Sequence, residues 1–370
     1  MAIRLKKLII HPGFHKTGTT SLQQALAVSR KNLLKENFYY PKISGMAQHR
    51  AAWAVIEKTW GWKNKGGRKI AYSEWESLEK RIRKSKNTVL LSSEFFSQAS
   101  QKQLEKLKSN LDNFDSKIIF TWKPLPFLLA SSYQQYLKYG IKASYEEWLH
   151  SIFDTPRQSK ITASFWERNL HGEVIEKWSN IFGSENISII SVDEKNPTFL
   201  FDSYTCLAGI PPGVLHLPEQ AVINRSLTAS EIALLLHINL NYPKDARWDS
   251  YELFIRRGNI RALSSSPQLD PNDEKLMTPK WAIDKAIEIN GQNVIDIKKL
   301  GIKIVGNLDR DDFQNIPTGT NAKIEKISIA TAAHAMMGLN LSLLNQAHGK
   351  NIAEEFYRRV NKVIRGKFRM

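Results

Sequence analysis

Lys7-Leu8-Ile9-Ile10-His11-Pro12-Gly13-Phe14-His15-Lys16-Thr17-Gly18-Thr19-Thr20-Ser21-Leu22-Gln23-Gln24-Ala25-Leu26 is the stretch that decides the fold. A short apolar run of strand type comes first. A turn follows with two glycines, one lysine and the hydroxyl residues Thr17, Thr19, Thr20 and Ser21. Leu22, Ala25 and Leu26 then open a helix with one apolar face. Strand, glycine turn, helix aims backbone N–H groups and the positive helix end at an anion. Lys16 adds a full charge, so a phosphate or sulfate is the ligand such a turn fits best.

Outward from that stretch, strand and helix patterns alternate. Residues 88–93 and 117–122 are further buried-type strands, residues 187–192 a fourth, and residues 302–305 a late one. Helices are expected at 49–56, 73–84, 101–112, 127–139, 145–152 and 173–182, then at 228–240 and 279–300, and residues 352–368 read as a basic amphipathic helix. Residues 30–50 and 58–68 read as loops, 258–278 as a long loop or lid, and 315–321 as a break. The alternation predicts an α/β fold with a mostly parallel central sheet and helices on both faces. One such domain is expected over residues 1–310, with a helical C-terminal extension over 311–370 packed on it.

Composition bounds the function. The 42% hydrophobic residues are ample for a core, and the single Cys206 excludes an internal disulfide and a cysteine metal cluster. No metal-ligand spacing is present, and no metal is expected. No apolar run approaches the roughly 18 residues of a membrane span, so a soluble cytoplasmic protein is expected. The formal net charge of +17 attracts polyanions. Zinc-finger spacing and RNA-binding aromatic signatures are both missing, so a groove for a polyanionic cofactor is the more economical expectation than nucleic acid.

The order of residues in the turn narrows the ligand. A Walker-type loop places its lysine directly after the second glycine, whereas here the order is Gly13-x-x-Lys16-Thr17-Gly18-Thr19-Thr20. That order resembles the 5′-phosphosulfate-binding loop of sulfotransferases that use 3′-phosphoadenosine 5′-phosphosulfate (PAPS). Lys123 at a strand end, with Ser131 eight positions on, resembles the 3′-phosphate motif of the same family, with lysine where arginine is usual. Arg256-Arg257-Gly258 looks like the basic-basic-glycine segment those enzymes place on the 3′-phosphate. His49-Arg50-Ala51-Ala52, Ser93-Glu94, Phe165-Trp166, Trp178 with Phe182-Gly183, Asn224-x-Ser226-Leu227 and Val305-Gly306-Asn307-Leu308 recur in order in a group of bacterial sulfotransferase-like proteins. Asn307 stands where aspartate is expected.

The resemblance implies a fold of the P-loop nucleoside-triphosphate-hydrolase-like kind. It also implies transfer of a sulfuryl group from PAPS to a hydroxyl or amine of a small-molecule or glycan acceptor. Gly13, His15, Lys16, Thr17, Gly18, Thr19, Thr20 and Ser21 would hold the 5′-phosphosulfate; Lys123, Ser131, Arg256, Arg257 and Gly258 would hold the 3′-phosphate. Lys16 would also stabilise charge on the leaving phosphate oxygen. Glu94, following a strand as Lys16 and Lys123 do, is the candidate base, with His49 its rival. Trp53, Trp60, Trp62 and Tyr72 could stack on an acceptor ring. Two other readings stay open: an ATP-dependent P-loop-type kinase, and a degenerate member that binds a nucleotide or anionic glycan without catalysis.

Overall fold

The computed structural model describes residues 5–43, 45–155, 158–196, 198–216, 225–266, 270 and 272–348. Asn224 and the helix expected over 352–368 lie outside the described residues. In chain order the elements begin β1 (Lys6–His11), α1 (Thr19–Val28), α2 (Arg30–Lys35), β2 (Phe38–Tyr39), α3 (His49–Ile56), β3 (Thr59–Trp60), β4 (Arg68–Lys69), α4 (Ser73–Lys84) and β5 (Thr88–Ser92). After a 3₁₀ turn (Glu94–Gln98) come α5 (Gln101–Asn110), β6 (Phe114–Trp122), α6 (Leu129–Leu137), α7 (Tyr145–Phe153), α8 (Phe165–Asn169), α9 (His171–Phe182), β7 (Ile187–Ser191) and α10 (Phe199–Ala208). The chain continues through α11 (Ala229–Asn241), α12 (Trp248–Tyr251), a π-helical segment (Glu252–Ile260), α13 (Arg261–Ser265), α14 (Lys280–Lys299), β8 (Lys303–Val305) and α15 (Ile329–His348). Among the described residues, no helix is long and apolar enough to cross a membrane.

Six strands form a parallel sheet in the order β2-β5-β1-β6-β7-β8. Strand alternation sorts its side chains to two faces. Leu8, Ile10, Val89, Leu91, Ile118 and Phe120 join one buried cluster with Trp75, Leu104 and Trp178 from α4, α5 and α9. Ile9, Leu90, Ile119 and Ile190 join another with Leu22, Leu26, Leu33 and Tyr204 from α1, α2 and α10. The strands are apolar on both faces because helices cover both, so the expected α/β fold is the one found.

A third cluster joins α6, α7 and α8 to α11 through α14. Tyr133, Trp148, Phe165, Trp248 and Tyr251 are its large side chains, and Ala335 of α15 packs into it. Three expected loops are partly regular. Residues 30–50 hold the short α2 and the two-residue β2 at the sheet edge. Residues 58–68 hold most of an antiparallel ribbon, with Trp60 opposite Arg68. The supposed lid at 258–278 begins as continuous helix, running through the π segment into α13.

The order of the strands sets the site. The chain leaves β1, builds β2 and β5 to one side, then returns to lay β6 on the other. The carboxyl end of β1 therefore lies where the winding reverses, and this is where open α/β sheets leave a crevice.

Candidate functional site

The turn after β1 is pinned on both sides. Ser93 N–H donates to His11 O at 3.1 Å, and Phe14 N–H donates to Thr121 O at 3.1 Å. Gly13 takes φ +65°, and a Cβ there would lie 2.8 Å from Thr19 Cγ2 and 3.0 Å from Glu94 Cβ. Only glycine lets the turn approach Glu94 this closely. Lys16 also takes a positive φ of 65°, and Gly18, at φ 80°, starts α1. Among the described residues, the first-turn N–H groups of Thr19, Thr20 and Ser21 meet no carbonyl acceptor. Such N–H groups at a helix start are the usual donors to an anion.

Behind the turn runs a buried relay. His11 Nδ1 lies 2.8 Å from Ser92 Oγ, His11 Nε2 lies 3.2 Å from Thr121 Oγ1, and Thr121 Oγ1 lies 2.6 Å from Thr17 Oγ1. Thr17 Oγ1 donates to Phe14 O at 2.8 Å. Counting donors fixes the direction, since each hydroxyl has one proton. Thr17 gives its proton to Phe14 O, so Thr121 donates to Thr17 and accepts from His11 Nε2–H. Ser92 then donates to His11 Nδ1. The imidazole is neutral in this arrangement, and burial holds its pKa at about 3. The relay adds side-chain ties from β5, β1 and β6 to the backbone bonds that pin the turn.

In front of the turn lies a cavity of about 490 Å³. His15, Lys16, Gly18, Thr19, Thr20 and Glu94 line it from the turn, with Trp53, Phe95, Tyr136 and Tyr139 among its walls. Lys16 Nζ donates to Gln135 Oε1 of α6 at 3.1 Å. Although the residue stands at the open side of the turn, the surrounding protein lowers its pKa; Glu94 opposes that shift and Arg168 adds to it. Glu94 Oε2 accepts from Gln23 Nε2 at 3.0 Å. His49 Nδ1 lies 2.9 Å from Ser93 Oγ and 3.7 Å from Glu94 Oε2. His49 is not among the lining residues, so of the two candidate bases Glu94 is the one that faces the cavity. His15 is held well below the usual histidine pKa by burial first and then by Arg168 and Lys16. Gln98 donates from Nε2 to His15 Nε2 at 2.9 Å and accepts from Arg168 Nε at 3.2 Å.

The candidate 3′-phosphate residues are placed differently. Lys123 Nζ donates to Glu194 Oε1 at 2.5 Å and lines a second cavity of about 280 Å³ with Lys195 and Arg310. Ser131 spends its hydroxyl on the carbonyl of Leu128, the residue just before its helix, at 3.1 Å. Among the described residues, no contact joins Arg256, Arg257 or Gly258 to Lys123 or to the turn. Arg256 sits 4.2 Å from the Tyr139 ring centroid and 3.7 Å from Glu252, and Arg257 also faces Glu252. Gly258 packs on α15, where a Cβ would lie 3.1 Å from Leu339 Cα. The basic pair is thus held by aromatic rings and a carboxylate, and the glycine serves helix contact. Of the candidate stacking residues, Trp53 lines the loop cavity. Trp60 stands edge-on to it, Trp62 donates to Tyr139 O, and the Tyr72 hydroxyl accepts from Asn110. Asn307 accepts from Asp309 N–H through Oδ1 at 2.8 Å, a turn role an aspartate would serve equally.

Sequence reading missed Arg168, Gln98, Gln135 and the His11–Thr121 relay. His11 sits in the opening stretch, but its partners Ser92 and Thr121, like Arg168, Gln98 and Gln135, meet the turn only through the fold.

No family model matches the chain, and no curated protein does. Among solved structures, the crystal structure of a sulfotransferase from Alicyclobacillus acidocaldarius is similar at a TM-score of 0.43 and 15% identity, over 68% of this chain and 100% of that one. So remote a likeness carries no chemistry, and the functional reading rests on the residues of the site.

Proposed function

We propose that the protein transfers a sulfuryl group from PAPS to a hydroxyl or amine acceptor. The observation that carries the reading is the packing of Gly13 against Glu94. It puts a carboxylate beside a turn whose lysine and free N–H groups suit a phosphosulfate. PAPS, when bound, supplies the activated sulfuryl group. Lys16 and the N–H groups of residues 19–21 hold the 5′-phosphosulfate and offset charge on the departing phosphate oxygen. The acceptor oxygen or nitrogen bonds to sulfur, the bond from sulfur to the phosphate oxygen breaks, and Glu94 takes the acceptor's proton. His49, with Nδ1 on Ser93 Oγ and 3.7 Å from Glu94 Oε2, is a neighbour of the base and is given no part in the transfer. Lys123 and Ser131 are assigned to the 3′-phosphate, which each engages by giving up its present partner, Glu194 for Lys123 and Leu128 O for Ser131.

Calorimetry with 3′,5′-adenosine bisphosphate and with 5′-AMP tests the donor. Tighter binding of the bisphosphate is expected, and equal binding of the two overturns the reading. Lys16→Ala should weaken bisphosphate binding roughly ten- to a hundredfold, the range of one charge-assisted hydrogen bond. With labelled PAPS its turnover should fall by about 10²–10³, with the melting temperature unchanged.

A further inference from the structure

The cavity before the turn has more cationic equipment than a donor needs. Lys16, Lys58 and Arg168 line it, against the one carboxylate of Glu94. Lys58 is already paired, with Glu167 at the rim. Lys16 belongs to the anion turn. Arg168 remains. Its Nε donates to the neutral amide of Gln98, and its guanidinium lies 5.5 Å from the Tyr136 ring centroid. Among the described residues it makes no ion pair with a carboxylate. A guanidinium near a ring face, with its Nε engaged by a neutral amide and no carboxylate partner among the described residues, is prepared for a planar anion. Carboxylate matches its fork better than any other common group. The rings of Phe95, Tyr136 and Tyr139 stand in the same walls.

We propose that this cavity is the acceptor site and that it selects a ring-bearing acceptor carrying a carboxylate, gripped by Arg168. The inference rests on the sulfuryl-transfer reading above. The ring lies against the aromatic wall, the carboxylate meets Arg168, and the hydroxyl or amine points to Glu94 and the turn. The volume of about 490 Å³, shared with the phosphosulfate at the turn, leaves room for a small acceptor and not for a polymer segment. Gln98 bonds both Arg168 and His15 of the turn, so the acceptor anchor and the donor turn share one amide.

Matched probes test this: 4-hydroxybenzoate against 4-hydroxybenzamide, and methyl glucuronide against methyl glucoside. The pairs separate an aromatic from a sugar acceptor. Binding to the complex with 3′,5′-adenosine bisphosphate is followed by ligand-observed NMR, and turnover with labelled PAPS. At least one acid should be preferred over its neutral partner by roughly ten- to a hundredfold. In Arg168→Gln that preference should collapse through a rise in the acid's KM, and Arg168→Lys should be intermediate because it keeps charge without the fork. Absence of saturable binding by either acid overturns the proposal. So does an equal fall for acid and neutral partner in Arg168→Gln, which would assign Arg168 to the transfer step. If the bisphosphate itself fails to bind, the sulfuryl-transfer reading fails. If it binds and the acids do not, only the acceptor assignment fails.

Discussion

Gly13 carries the geometry of the turn on one missing atom. Its φ of +65° and the 2.8 and 3.0 Å contacts a Cβ would make with Thr19 and Glu94 act together. Gly13→Ala therefore has to spread the turn from Glu94 or strain the backbone. A stability loss of about 1–3 kcal/mol is expected, read by urea unfolding, with weaker bisphosphate binding in the same protein. Thr121 is the second such residue. Thr121→Val keeps the shape and strips the hydroxyl, leaving His11 Nε2–H and Thr17 Oγ1 without their partner. About 1–3 kcal/mol should be lost, and a near-neutral result would mean that water replaces the hydroxyl. That Lys16, Gly13, Gly18 and Glu94 come together was legible in the sequence because their placement depends on local spacing or on a strand end. Thr121 reads there only as one more strand residue, and Arg168 as a charge on a short polar stretch. Their meaning appears when chain segments roughly a hundred residues apart are brought together.

At the scale of elements, long periodic segments were legible and short ones were not. The ribbon of β3 and β4 has two residues a side, too few for alternation to register. The helix through residues 252–265 was hidden by Gly258 and by the serines and proline that follow, which read as a loop or lid. Gly258 is a packing glycine: it faces Gly338 of α15, where a Cβ would meet Ala262 Cβ at 2.5 Å and Gly258 O at 2.6 Å. The two glycines let the helices touch at their backbones. Gly338→Ala has no flexible neighbour to displace, so helix propensity should lose to overpacking, at about 1–3 kcal/mol. Amide exchange should then quicken across α15 while the β1 amides stay protected. Uniform quickening would show instead that α15 unfolds only with the sheet.

For the whole molecule, alternation of strand and helix announced a parallel sheet, but strand order depends on which way each crossover runs. So β1's central place, and the crevice it creates, were visible only in three dimensions. The helical cluster draws on residues 125–166 and 227–286 together, a pairing no local pattern carries. One property belongs to the molecule as a unit: its response to acid. His11 and His171 are fully buried, and burial lowers each from an ordinary value of 6.5 to about 3. Among the described residues His171 finds no hydrogen-bond partner for either nitrogen, and its ring lies 4.1 Å from that of Phe14. Because the folded pKa values are depressed, the unfolded chain binds more protons between those limits. Stability from both histidines is fully present above about pH 6.5 and is lost as pH falls toward 3. The slope should approach about 1.4 kcal/mol per pH unit for each histidine. Both residues press on the anion turn, His11 through Thr121 and His171 through Phe14. Urea unfolding from pH 7 downward should show the combined slope, and His171→Leu should remove one proton's share of it. Bisphosphate affinity should decline over the same interval, and an affinity that holds while stability falls would show the turn to be insulated from its buried support.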